Sequence, residues 1–217
     1  MGGKILLLLN MCLKPTNVGS LCDETIRNKQ YIDGINSVFK YKDILDKYGV
    51  DICLSDNTIN DVSNISHEIM TIIPNDVKII TYEKNTYGSI NKGAGLLEAW
   101  GFCIDIIKQY DWVIHFETRQ KIENFDFIKN FLDSNRNLFT EGDPIHSKHF
   151  NTGLFCIDSS VLLKYINQTP PASLIYPPVS IEYDIFNFIK RNDIHYDTMD
   201  KMGLLWHDNG IRECRHM

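Results

Sequence analysis

Tyr110-Asp-Trp-Val-Ile-His-Phe-Glu117-Thr118-Arg119 is the stretch from which the fold is read. Val113 and Ile114 have the character of a buried strand near its end, and Phe116 prolongs the apolar run. A carboxylate, Glu117, and a cation, Arg119, follow where such a strand leaves its sheet. In open α/β sheets, ligands collect in the crevice outside the carboxyl ends of the strands. The two charged side chains also share a face, because residues i and i+2 of a strand point the same way.

Working outward, apolar runs and helical patterns alternate. Residues 5–9 form a buried strand. Tyr31, Ile35, Val38, Phe39, Ile44 and Leu45 recur at near-helical spacing, and Gly49 closes that helix. Residues 50–54 are a second strand, 60–72 a short helix ending near Pro74, and 77–82 a third strand. A helix over 96–107 precedes the fourth strand at 112–116. This βαβαβ order predicts a three-layer α/β/α sandwich around a mostly parallel central sheet. Further on, helices are expected over 125–132, 161–166 and 181–191, with strands at 154–157 and 204–207. No repeat or linker divides the chain, so residues 1–217 are expected to form a single domain.

Composition narrows the classes. Apolar residues make up 43% and charged residues 23% of the 217-residue chain, as in an ordinary globular protein. A formal net charge of −6 argues against a nucleic-acid surface, which is usually basic. None of the six cysteines forms a Cys-x-x-Cys pair, which fits a reduced, cytoplasmic protein. Lys4-Ile-Leu-Leu-Leu-Leu-Asn10 lacks a small-residue cleavage site and is better read as a strand than as a signal peptide. No stretch is long enough for a transmembrane segment.

Three further segments gain meaning together. Asp51-Ile-Cys-Leu-Ser-Asp56-Asn57-Thr58 ends the second strand, Asn85-Thr-Tyr-Gly88-Ser-Ile-Asn91-Lys92-Gly93 is a loop entering a helix, and Phe150-Asn151-Thr152-Gly153-Leu154-Phe155 leads into a late strand. Their order and spacing resemble the GT-A fold nucleotide-sugar glycosyltransferases. In that family the second strand often ends in Asp-Asn or Asp-Asp. An Asn…Gly…Arg-Asn-x-Gly segment opens the next helix, and an Asn-x-Gly strand borders the sugar pocket. An Asp-x-Asp motif after the fourth strand holds a divalent metal and a diphosphate. Here that motif is Glu117-Thr118-Arg119: one carboxylate is kept and the other is replaced by a cation. The likeness spans most of residues 4–207 and is similar to that of large-DNA-virus capsid glycosyltransferase domains.

The resemblance implies sugar transfer from a nucleotide-diphosphate donor, a UDP-sugar above all, to a hydroxyl of a glycan or glycoprotein acceptor. Residues 1 to about 119 would form the nucleotide-binding half and the remainder the acceptor half. Mn²⁺ or Mg²⁺ is the implied cofactor, held by Glu117 and by His207 near the C-terminus. Asp56, Asn85 and Lys92 would bind the nucleotide, and Arg119 would pair bidentately with the diphosphate. Asn151 and Thr152 would border the donor sugar. Asp184 and Glu182 open an apolar helix, and Asp184 shares its face with Ile181, Ile185 and Phe188. Asp184 is the first choice and Glu182 the second for a base that deprotonates the acceptor, with Tyr183 leaving the register between them open.

Plainer roles stand beside each of these. Asp56 can be a turn former, Lys92 a surface lysine, Glu117 and Arg119 a structural pair, and the 182/184 carboxylates a complement to the helix dipole. His146 and His149 lack the further ligands of a zinc site. Two other classes remain open: a nucleotidyltransferase on the same sheet, although no close glycine pair follows Leu9, and a catalytically inactive nucleotide- or sugar-binding module.

Overall fold

The computed structural model describes residues 3–15, 23–142, 148–207 and 214–216, with side chains as far as Leu205. The side chains of His207 and His146 therefore lie outside the described residues. In chain order the strands are β1 (Ile5–Met11), β2 (Val50–Asp56), β3 (Lys78–Thr81), β4 (Trp112–Glu117), β5 (Lys121–Ile122), β6 (Leu138–Phe139), β7 (Leu154–Asp158), β8 (Asp197–Thr198), β9 (Leu204–His207) and β10 (Cys214–His216). The helices are α1 (Glu24–Phe39), α2 (Lys42–Lys47), α3 (His67–Ile72), α4 (Lys92–Phe102), α5 (Ile104–Ile107), α6 (Asp126–Ser134), α7 (Ser159–Gln168) and α8 (Ile181–Arg191). Among the described residues the central sheet has the order β3-β2-β1-β4-β7-β6-β8, and a small sheet has the order β10-β9-β5. β7 runs antiparallel to both neighbours, β4 and β6, while the other pairings of the central sheet are parallel.

Every residue of β1 is buried, because helices cover both faces of the sheet. Leu7 and Leu9 join Tyr31, Ile35 and Val38 of α1 and Phe127 and Phe131 of α6 in one apolar layer. Leu6 and Leu8 join Leu97 and Trp100 of α4, Leu162 of α7 and Ile185 of α8 in the other. The expected three-layer sandwich is thus present, and strand alternation assigns each residue to a layer.

The helix expected over 96–107 begins four residues earlier and breaks between α4 and α5. Asn91 caps its start by accepting from Ala94 N at 3.1 Å. Gly93 and Gly95 disguise this first turn, since glycine is a poor helix former. Gly93 is needed for contact: a Cβ there would lie 2.8 Å from Cβ of Ile181. Likewise α1 begins at Glu24, capped by Asp23, whose carboxylate accepts from Ile26 N at 3.0 Å. The two-residue strands β5, β6 and β8 are too short to show a period.

The register levels three strand ends. Asn10 of β1 lies opposite Ser55 of β2 on one side and Glu117 of β4 on the other. All three face the layer of α4 and α8, whose N-termini approach the same edge. Asp56 pairs with Met11, one residue on, and belongs to the opposite face.

Candidate active site at the strand ends

A cleft opens at this edge. Its floor includes Asn10 and Glu117, and its walls include Arg27 and Tyr31 of α1, Lys92 and Gly95 of α4, and Glu182 of α8. Asn57, Asn85, Arg119 and Thr152 also line it. Of the residues singled out from the sequence, it therefore brings together Asn85, Lys92, Glu117, Arg119, Thr152 and Glu182. Asp56, Asn151 and Asp184 are not among its lining residues.

Thr118 shapes the floor. Its backbone N–H and its hydroxyl both donate to the Asn10 carbonyl, at 3.1 and 2.7 Å, and fasten the end of β4 to β1. Glu117 and Arg119 flank this anchor without pairing: no ion pair joins them among the described residues. Arg119 is 9% exposed, and its single hydrogen bond among the described residues runs from Nη1 to Gln30 Oε1 at 3.5 Å. Burial pushes the half-buried Glu117 carboxyl above its usual range. The fields of Arg119 and Lys92 oppose that rise, and the field of Glu182 adds to it.

Asp56 is spent on the chain itself. It is buried, and its carboxylate accepts from Leu13 N at 2.8 Å, Thr58 N at 2.6 Å and Thr58 Oγ1 at 2.5 Å. It braces the segment after β1 and is not among the residues lining the cleft. Its neighbour Asn57 reaches the cleft, donating from Nδ2 to the carbonyls of Lys84 (3.4 Å) and Gly95 (3.3 Å) and to Asn85 Oδ1 (3.4 Å). Asn85 is packed between two glycines: a Cβ on Gly88 would lie 1.9 Å from its Oδ1, and one on Gly95 2.8 Å. Those glycines let the 85–88 loop lie against α4.

The two acidic residues of α8 part ways. Ser180 caps the helix, its hydroxyl accepting from Tyr183 N at 3.3 Å. Glu182 then falls in the first turn on the cleft side, where the Thr152 hydroxyl donates to its Oε1 at 3.2 Å. Asp184 faces α7 and accepts from the Tyr165 hydroxyl at 2.9 Å. Of the two, Glu182 lines the cleft and Asp184 does not.

Arg27, Tyr31, Asn10 and Asn57 were not chosen from the sequence. Arg27 lies four residues before Tyr31, so the apolar stripe of α1, extended back by one turn, would have placed it on the buried face. It is 4% exposed, donates from Nε to the Cys12 carbonyl at 3.1 Å, and lies over the Tyr31 ring with 5.7 Å to the centroid. The Tyr31 hydroxyl in turn accepts from Cys12 N at 2.8 Å. Asn10 was recognisable as a strand end by the same rule that picked out Glu117.

No group of three or more His, Cys, Asp or Glu side chains that could hold a metal ion occurs among the described residues. Two carboxylates, Glu117 and Glu182, line the cleft, against the three cations Arg27, Lys92 and Arg119. Among the described residues this donor set does not fit a resident divalent cation. His207, the second expected ligand, lies outside the residues whose side chains are described.

No protein-family model and no curated protein matches the sequence. Solved structures do match in shape. A protein from Desulfovibrio desulfuricans G20, assigned to the nucleotide-diphospho-sugar transferases, aligns over 90% of this chain and 79% of its own at a TM-score of 0.53 and 8% identity. The mannosyltransferase Ktr4p of S. cerevisiae, solved in complex with GDP, aligns over 89% of this chain and 68% of its own at a TM-score of 0.55 and 12% identity. The chain has the GT-A fold of the nucleotide-diphospho-sugar transferases.

Proposed function

We propose that the cleft transfers a sugar from a nucleoside-diphosphate donor to a hydroxyl acceptor. The observation that carries this is the division of charge at the strand ends of a GT-A sheet. Lys92 and Arg119 supply positive charge beside the floor, and Glu182, oriented by Thr152, supplies a carboxylate from α8. Asn57 and Asn85 would meet the nucleoside. The N-terminus of α4, with Lys92 as its first residue, would face the phosphates, since helix N-termini favour anions. Asn151 and Thr152 would border the sugar.

In this scheme the acceptor oxygen forms a bond to the anomeric carbon while the bond from that carbon to the diphosphate oxygen breaks. The electron pair leaves with the diphosphate, and the acceptor proton passes to Glu182. The second oxygen of Glu182 carries no hydrogen bond among the described residues. Asp56, committed to Leu13 and Thr58, leaves base selection to other groups, so UDP-sugars are the first donors to test and GDP-sugars the second.

The test is nucleoside-diphosphate release from UDP- and GDP-sugars, with simple glycosides as acceptors. Release should fall about 10²–10⁴-fold in Glu182→Gln with donor affinity unchanged. Cleavage of nucleoside triphosphates, with sugar nucleotides untouched, would point to a nucleotidyltransferase. Binding without turnover would point to an inactive module.

A further inference from the structure

We propose that the cleft neutralises the donor diphosphate with its own guanidinium groups, Arg119 foremost and Arg27 beside it, so that donor binding requires no divalent cation. This rests on the donor-transferase function proposed above and specifies what holds the phosphates.

Arg119 is the main ground. More than nine-tenths of it is buried, yet among the described residues no carboxylate pairs with it and its one hydrogen bond goes to a neutral amide at 3.5 Å. A guanidinium carries five N–H donors in a planar fork. Glu117 offers Arg119 a field but no ion pair among the described residues, and burying a cation without a paired, hydrogen-bonded counter-charge is costly, so an anionic ligand would satisfy it. A diphosphate suits it, because the fork accepts two oxygens at once.

A second observation points the same way. Asn10 is 7% exposed and lines the same cleft, and its Nδ2 has no hydrogen-bond partner among the described residues. Ser55 Oγ donates to Asn10 Oδ1 at 3.3 Å, so the oxygen end is occupied and the donor end is left over. The floor thus offers N–H groups from two adjacent strand ends, most of them with no acceptor among the described residues. Arg27, held against Cys12 and Tyr31, adds positive charge from the α1 wall. A divalent cation beside Glu117 would have to enter against the fields of Arg119 and Lys92, which already act on that carboxylate.

The experiment is isothermal titration of UDP, GDP and inorganic pyrophosphate into the whole chain, once in EDTA and once in Mn²⁺. Wild type should bind UDP or GDP equally well in both buffers. Arg119→Met, which keeps the volume and removes the charge, should weaken binding about 10–100-fold. Its ligand-free Tm should be unchanged or higher, because an unpaired buried charge has gone. Should Arg119→Met fail to fold, Arg119→Lys serves instead: it keeps the charge, loses the fork and should bind more weakly than wild type. Nucleotide binding that appears only with Mn²⁺ overturns the inference and leaves the transferase function standing. So does wild-type affinity in Arg119→Met, or in Arg119→Lys where that variant stands in. Arg119-dependent pyrophosphate binding in EDTA, with no gain from a nucleoside, supports the anion clamp and overturns the nucleotide-donor function. No binding of any of the three overturns both.

Discussion

Replacing Gly34 with alanine would put a methyl carbon 1.9 Å from the Thr118 carbonyl oxygen and 2.5 Å from that of Gln120. Both neighbours are backbone, in the turn that carries Arg119 between β4 and β5, so no side chain can rotate away. Alanine in a helix interior gains up to about 1 kcal/mol over glycine, but forcing an extra carbon into a packed contact costs about 1–3 kcal/mol or more. With a carbon 1.9 Å from a backbone oxygen the cost should reach about 3 kcal/mol, leaving a net loss of about 2 kcal/mol and a Tm lower by about 4–8 °C for a chain of this size. Gly101 in α4 is the internal control, since a Cβ there meets nothing within 4 Å. Gly101→Ala should stabilise by about 0.5–1 kcal/mol, raising Tm by about 1–4 °C. Calorimetric melts of both variants test the sign directly. Titration with UDP or GDP should show weakened binding in Gly34→Ala alone, because its turn has moved. Wild-type Tm in Gly34→Ala, or a shift of the same sign in both variants, would refute the close approach of α1 to that turn.

Three further outcomes follow from the packing. Asp184→Ala should lose the Tyr165 hydrogen bond and about 1–3 kcal/mol of stability while kcat holds, measured by melts and turnover side by side. Asp56→Ala should destabilise more than Glu117→Ala, because it strands the buried Thr58 N, at about 1–3 kcal/mol, and the half-buried Leu13 N. Burial holds His115 at about 3, well below the ordinary imidazole value, so it stays neutral in the folded chain. The unfolded chain takes up a proton there below about pH 6.5, so acid favours unfolding by up to about 1.4 kcal/mol per pH unit down to about pH 3. Urea melts between pH 7 and 4 should show a shallower loss of stability in His115→Gln than in wild type.

Much of this molecule was legible from order and alternation. Apolar runs such as residues 5–9 mark strands buried on both faces, and the interval from Asn91 to Glu117 accommodates the broken helix α4–α5 and one strand. The side-chain directions at the site were less accessible. Asp56 and Glu117 both end strands, yet a two-residue period puts Asp56 on the α1 face with Leu54, and Glu117 on the α4 face with His115. Its place beside the segment after β1 also depends on a loop that no periodicity specifies. α8 starts at Ile181 as expected, so the placing of Glu182 and Asp184 turned on which face of that helix meets the cleft. Ser180 as the cap sends residue 182 to the cleft and residue 184 to Tyr165. Arg119 was visible as a misfit in the acidic motif. That no carboxylate among the described residues pairs with it appears only once the chain is folded.

The central claim is that the strand-end cleft is a nucleoside-diphosphate site, and a crystal structure with UDP or GDP bound tests it most directly. The account predicts phosphate oxygens within hydrogen-bond distance of the Arg119 guanidinium and near Lys92, with Glu182 left open on the acceptor side. A nucleotide lodged elsewhere, such as the surface around Glu141 and Tyr196, or one in the cleft with its phosphates turned away from Arg119, would contradict it.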